Sequence, residues 1–440
     1  MQTGDFKFEF AARCEDFVDD GGFQAVAEFD RVEAEVKNLA HDGLAGFFAV
    51  GVPTGGKREH CEGTLQSPRG KVQRQNHRRE FLGKMPRRMA SSRLMKYRTL
   101  PGMDLPVSEV GFGLWTVSTG WWGTFTDDEA VVLMRQALDL GVTLFDAADT
   151  YGNGRSEELI AKAFPDQRDR IVIATKIGYD FVNHGDERRG QREIPQDFSP
   201  AALRRATDAA LARLKTDRID ILQLHNIRME QVDDDAVWET LEDLHSQGKV
   251  GRYGLALGPA IGWLGEGVHA IRRRNPSVVQ HIYNLLEPHP GNAIHAAARE
   301  SRADTKFLIR VPHSSGMLEG QYTADTVFPP NDHRNHRPRS WLLNGVKKIE
   351  QLRFLEHEGV RTLGQAAILW LLGDDRVASV LPNIYNVEQL REFAQASGQP
   401  PLTSGENERI AALVTANFGQ EREEPKFKGT MELPGEPTPA

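Results

Sequence analysis

The sequence predicts an α/β protein folded as a (β/α)8 barrel, and three observations carry that prediction. From Met95 onward, short apolar runs alternate with helix-length amphipathic runs until eight strands have accumulated. Reactive side chains recur at the ends of those runs: Asp146 closes LFD, Lys176 falls in IVIATKIG, and His225 in IDILQLHN. The competing architecture, an open doubly wound sheet, lacks its Gly-x-Gly-x-x-Gly turn after the first strand.

The elements follow in order. MKYRTL and LPVSEVGF form a short hairpin around residues 101–104, and the first barrel strand ends near Gly113. Thr126 and Glu129 have capping-box spacing and open an amphipathic helix through Leu140, which Gly141 ends. The second strand runs into LFDAADTYGNGRSE, a glycine-rich loop carrying Tyr151; Ser156 is the expected N-cap of the next helix, with Glu157 and Glu158 suited to its dipole. IVIATKIG is strand three, and Ser199-Pro200 starts its helix. IDILQLHN, RYGLALG, SVVQHIYN and KFLIRVP are strands four to seven, separated by helices expected at residues 236–247, 261–273 and 293–299. A long insertion precedes strand eight, VASVLP, and a helix then spans residues 387–396.

Composition excludes several classes. A hydrophobic fraction of 39%, a charged fraction of 26% and a net charge of −8 over 440 residues describe a globular chain with no electrostatic reason to bind nucleic acid or an anionic membrane. No apolar run reaches the roughly 18 residues of a membrane helix. Both cysteines, Cys14 and Cys61, precede Met95, so the barrel has no thiol chemistry, and a cytoplasmic, reducing location is expected. Residues 1–94 lack sustained periodicity and read as disordered or as an over-extended start, since Met85, Met89 and Met95 could each initiate. Arg78-Arg79-Glu80-Phe81-Leu82 imitates a twin-arginine signal, but a basic segment follows where an apolar one is required. Residues 95–418 are assigned to the barrel and 419–440, rich in charge and proline, to a flexible tail.

Side chains alternate along a strand, so Asp146, Lys176 and His225 can all face the barrel mouth from their strand ends. A phenol with a pKa of about 10 is a weak acid, and a nearby ammonium strengthens it by stabilising the phenolate. Asp146, Tyr151, Lys176 and His225, in this order and these strand contexts, resemble the tetrad of the aldo-keto reductase family, over residues 95–397. The resemblance implies that Tyr151 donates the proton in carbonyl reduction, Lys176 promotes that donation, Asp146 holds the lysine, and His225 orients the substrate oxygen. It also implies hydride from NADP(H), with NAD(H) as an alternative, and a small carbonyl compound as substrate: an aldehyde, ketone or small sugar.

The resemblance further assigns cofactor contacts. Gly113 and Trp115 would line the cofactor and substrate site, Gln280 would hold the nicotinamide carboxamide, and Arg310-Val311 replaces a frequent stacking aromatic. Ser314 and Gly316 lie in a loop suited to pyrophosphate. Before the last helix, Asn383 replaces a frequent glycine and Tyr385 a frequent arginine, Phe393 an adenine-contacting asparagine, and Gln389 is retained. The Ser-Asn pair common after strand five is absent, leaving Ala256 and Leu257. Asp149 is expected to bind loop amides. His333 and His336 have metal-ligand spacing but neither thiols nor enough carboxylates nearby, so their segment, with Arg334, Arg337 and Arg339, is expected to cover the cofactor. Two other readings stay open: a cofactor-binding regulatory subunit with little turnover, and a lyase or isomerase using Lys176 as a Schiff base.

Overall fold

A computed structural model describes residues 95–185, 193–329, 332–421 and 426–433. The expected extension over residues 1–94 lies outside the described residues. Two strands, β1 (Tyr97–Arg98) and β2 (Val107–Ser108), pair antiparallel as the expected hairpin. Eight more form one parallel sheet in chain order: β3 (Phe112–Gly113), β4 (Leu144–Asp146), β5 (Val172–Ile177), β6 (Ile219–His225), β7 (Val250–Ala256), β8 (Val278–Ile282), β9 (Lys306–Arg310) and β10 (Val377–Leu381). The sheet closes on itself, because Gly111 N donates to Val380 O at 2.9 Å and Val380 N to Glu109 O at 2.9 Å.

Closure explains the apolar character of the strands, which are covered on both faces. Leu144, Val172, Ala174, Ile221, Val278, Leu308 and Ala378 fill the interior, joined by Leu100 and Val107 of the hairpin. The opposite strand faces pack on helices through residues such as Met134, Ile160, Leu241, Ile271, Ile294 and Leu390. Gly254 in β7 allows the closest backbone approach, since a Cβ there would overlap the Val278 carbonyl.

Three local expectations are corrected. Ser156 is not an N-cap: the helix Arg155–Ala163 follows Gly154 in the left-handed region (φ 95°), and Ser156 Oγ instead donates to Ala148 O at 2.8 Å, tying the loop back. The helix expected from residue 261 begins at Leu264, because Gly262 pairs with Lys428 of the C-terminal segment. That pairing also corrects the expectation of a flexible tail for residues 426–433. Helices Arg339–Leu352, Leu363–Leu372 and Ser404–Thr415 were not anticipated. LGQAAILWLL is apolar almost all round and buried, so it shows no amphipathic period. Among the described residues, no helix is long and apolar enough to cross a membrane.

Candidate active site

Strands β4, β5 and β6 deliver Asp146, Lys176 and His225 to the same end of the barrel, and the loop after β4 brings Tyr151 over them. That loop turns back through Gly152 (φ 63°), Asn153 (φ 52°) and Gly154 (φ 95°). A Cβ on Gly152 would stand 2.6 Å from Ser118 O, so glycine there lets the Tyr151 loop pack on the loop after β3.

Lys176 has no exposed surface. Its Nζ donates to Asp146 Oδ2 at 2.6 Å and to Ala147 O at 2.8 Å. The other Asp146 oxygen accepts from Gln280 Nε2 at 2.9 Å and Gln223 Nε2 at 3.2 Å. A buried ion pair is tolerated when its remaining lone pairs and protons are matched in this way, and removing one partner typically costs about 3–5 kcal/mol. The Lys176 ammonium lies 4.9 Å from the centre of the Tyr151 ring. The His225 ring stands edge-on to Tyr151 at 5.8 Å and to Tyr179 at 5.1 Å, so two phenols flank it. Tyr179 OH donates to Glu193 and accepts from Asn226 Nδ2 at 2.7 Å; burial and the Glu193 charge push its pKa up. Arg228 closes on Glu193 at 2.7 Å.

These groups border a cavity of about 330 Å3, within the range of small-molecule sites. Asp146, Tyr151 and His225 line it, with Lys176 directly behind. Of the expected cofactor residues, Gly113, Trp115, Gln280, Arg310, Val311 and Asn383 are in its wall. Ser314, Gly316, Tyr385 and Gln389 stand outside it, each for a visible reason. Ser314 Oγ donates to Glu287 at 3.0 Å, and Gly316 lies under the Tyr322 hydroxyl. Tyr385 stacks on Trp122, rings 6.3 Å apart and inclined by 15°, and Gln389 Nε2 donates to Glu319 at 2.9 Å.

Residues not anticipated include Asn226, Gln223, Glu193 and Lys426. Asn226 follows His225 on the same strand end and was legible from that position; Glu193 and Lys426 come from irregular segments and carried no signal. Asp149 is fully buried, with the Thr150 backbone amide acting on its carboxylate as expected of a loop-binding acid, and burial, then Glu157, raises its pKa.

The wall suits a nicotinamide dinucleotide. Asn226 Oδ1, Arg310 Nε and Arg337 Nε are buried beside the cavity with no hydrogen-bond partner among the described residues, offering one acceptor for an amide and two donors for anionic oxygens. Gln280 spends its amide nitrogen on Asp146 and Gln223, which leaves its oxygen for a ligand. Burial lowers the basicity of Arg310, whose Nη2 donates to Leu257 O. Above the wall, His333 N donates to Trp121 O at 3.1 Å, and its ring sits against Trp115, Trp121 and Trp122 at 5.2, 5.5 and 5.9 Å. The insertion after β9 thus meets the loop after β3 across the mouth.

A model of the Aldo/keto reductase family matches residues 109–415. The chain belongs to the aldo/keto reductase family. Members of this family are NAD(P)H-dependent oxidoreductases, and the closed eight-stranded barrel is their fold. Among similar proteins, aldo-keto reductase YhdN of Bacillus subtilis (strain 168) is 26% identical over 314 residues, covering 69% of this chain and 89% of its own. The NADH-specific methylglyoxal reductase of Escherichia coli (strain K12) is 27% identical over 319 residues, covering 69% and 93%. The holo structure of an aldo-keto reductase from Bacillus halodurans superposes with a TM-score of 0.58 at 25% identity, covering 78% of this chain and 98% of that one.

Proposed function

We propose that this aldo/keto reductase reduces the carbonyl of an aldehyde, ketone or small sugar to the alcohol with NAD(P)H, and that Asp146, Tyr151, Lys176 and His225 carry the reaction. The observation that supports this most is the fully buried Lys176 ammonium, anchored by Asp146 at 2.6 Å and 4.9 Å from the Tyr151 ring, beside a cavity shared with His225. The bound nicotinamide supplies the hydride. Tyr151 passes its proton to the carbonyl oxygen, and the adjacent lysine stabilises the phenolate that remains. Asp146, held by Gln223 and Gln280, keeps the ammonium in place; His225, fixed between two phenols, orients the substrate oxygen.

Both nicotinamides are accepted in this reading. Tyr385 offers no charge for a 2′-phosphate, and nearby Arg334 already pairs with Asp332 at 2.5 Å. Glu319, bonded to Gln389, adds an acid beside that region. The similarity to an NADH-specific reductase points the same way.

Loss of NADPH absorbance against a panel of aldehydes tests the proposal: turnover with several of them is expected. Cofactor binding without oxidation by any would favour a regulatory subunit, and borohydride trapping of substrate on Lys176 would favour Schiff-base chemistry.

A further inference from the structure

Arg310 is a cation built into the inner face of the barrel mouth. Leu308 packs in the barrel interior, so Arg310, two positions on along β9, faces the same way. It stands in register between Ile282 of β8 and Leu381 of β10, and all three border the cavity. The chain turns away directly after it: Val311 is left-handed (φ 55°), rare for a β-branched residue, and its carbonyl accepts from Asn284 Nδ2 at 3.1 Å. Gly258 supplies the space for the guanidinium, since a Cβ there would stand 2.1 Å from Arg310 Nη2 and 2.6 Å from Asn226 Oδ1. Nη2 donates to Leu257 O, which fixes the guanidinium against the end of β7.

Among the described residues, Arg310 is in no ion pair. The carboxylates of the cavity wall are committed elsewhere, Asp146 to Lys176 and Glu193 to Arg228, while Glu287 accepts from Asn284 and Ser314. Its strand neighbours Ile282 and Leu381 are apolar and screen its charge weakly. The two cavity arginines also differ in place. Arg337 comes from the insertion after β9 and reaches towards Ser315 Oγ at 3.4 Å, whereas Arg310 adjoins Asn226 Oδ1, the acceptor suited to an amide.

A nicotinamide ring is neutral when reduced and carries one positive charge when oxidised. In the proposed reaction the carbonyl takes a hydride from that ring at carbon and the Tyr151 proton at oxygen, which leaves the new charge inside the cavity that Tyr151 and Arg310 both border. We propose that Arg310 makes the site discriminate the redox state of its cofactor: the guanidinium repels the oxidised ring, so the protein holds NAD(P)H and releases NAD(P)+. This rests on the cofactor-binding part of the reductase reading above. The repulsion acts on the ring and is therefore the same with and without a 2′-phosphate.

Titration of tryptophan fluorescence measures Kd for each form in the full chain, with Trp115, Trp121 and Trp122 in the wall as reporters. Wild type should bind NADPH at least about tenfold more tightly than NADP+, a modest part of the repulsion between two unit charges a few ångströms apart at an effective dielectric constant of about 20, and NADH over NAD+ by a similar factor. Arg310→Met should bring both ratios to within about threefold of one by tightening the oxidised forms, while Arg310→Lys, which keeps the charge, should preserve them. A wild-type ratio near one overturns the inference without recourse to any variant. So does equal weakening of both forms in Arg310→Met, which would make Arg310 a ligand of the cofactor phosphates. Either result leaves the reductase reading intact, because turnover of aldehydes with NADPH judges that reading separately. Binding of neither form overturns both.

Discussion

Lys176 has no exposed surface, and Asp146 at 2.6 Å and the Ala147 carbonyl at 2.8 Å hold its Nζ beside Tyr151. Lys176→Met should therefore lower turnover by about a hundredfold or more, the range of lost acid-base assistance. Asp146→Asn, which retains an acceptor but loses the charge, should cost less; equal turnover of Lys176→Met and wild type would remove the lysine from the mechanism. Glu319 makes a separate prediction. Burial raises its pKa from 4.5 to about 7, so the folded chain binds a proton that the unfolded chain releases between those values. Stability contributed at low pH is thus lost as pH climbs through that window. Melting temperatures of wild type and Glu319→Gln should be close at pH 5 and diverge by pH 8 in favour of the glutamine; a pH-independent gap would contradict this.

Elements whose boundaries rest on local chemistry were legible. The box at Thr126 has both its bonds, Glu129 N to Thr126 Oγ1 at 3.3 Å and Thr126 N to Glu129 Oε2 at 2.8 Å. Thr126→Ala should lower the unfolding free energy by about 1 kcal/mol in denaturant titration, and no loss would mean that tertiary packing alone sets the helix start. The box at Thr403 and Glu406 carries the same signal in the sequence. The helix Leu363–Leu372 was hidden by burial on nearly every side, and the start of the helix at Leu264 by a strap more than 160 residues later in the chain. Near the helix Val387–Ala396 the residue types were read but not their directions: Tyr385 turns to Trp122 and Gln389 to Glu319. Tyr385→Arg should still raise the NADPH to NADH ratio of kcat/KM by about tenfold, the value of a charged hydrogen bond to the 2′-phosphate. An unchanged ratio would place that phosphate elsewhere.

At the scale of the whole molecule, the barrel turns sequence order into proximity: Gln280 reaches Asp146 across 134 residues of chain because β8 and β4 face one interior. Strand-end position made the four proposed catalytic residues legible. It did not reveal Glu193 or Lys426, whose places are set by loop and tail paths that no local pattern encodes. The central claim is that Tyr151 is the proton donor of a carbonyl reductase, and one comparison tests it most directly: the rate of NADPH oxidation with an aldehyde substrate, alongside NADPH affinity, in wild type and Tyr151→Phe. Wild type is expected to turn over, while Tyr151→Phe, which removes only the hydroxyl, should lose at least about a hundredfold in kcat and bind NADPH within about twofold of normal. A phenylalanine variant that keeps most of its kcat would contradict the claim.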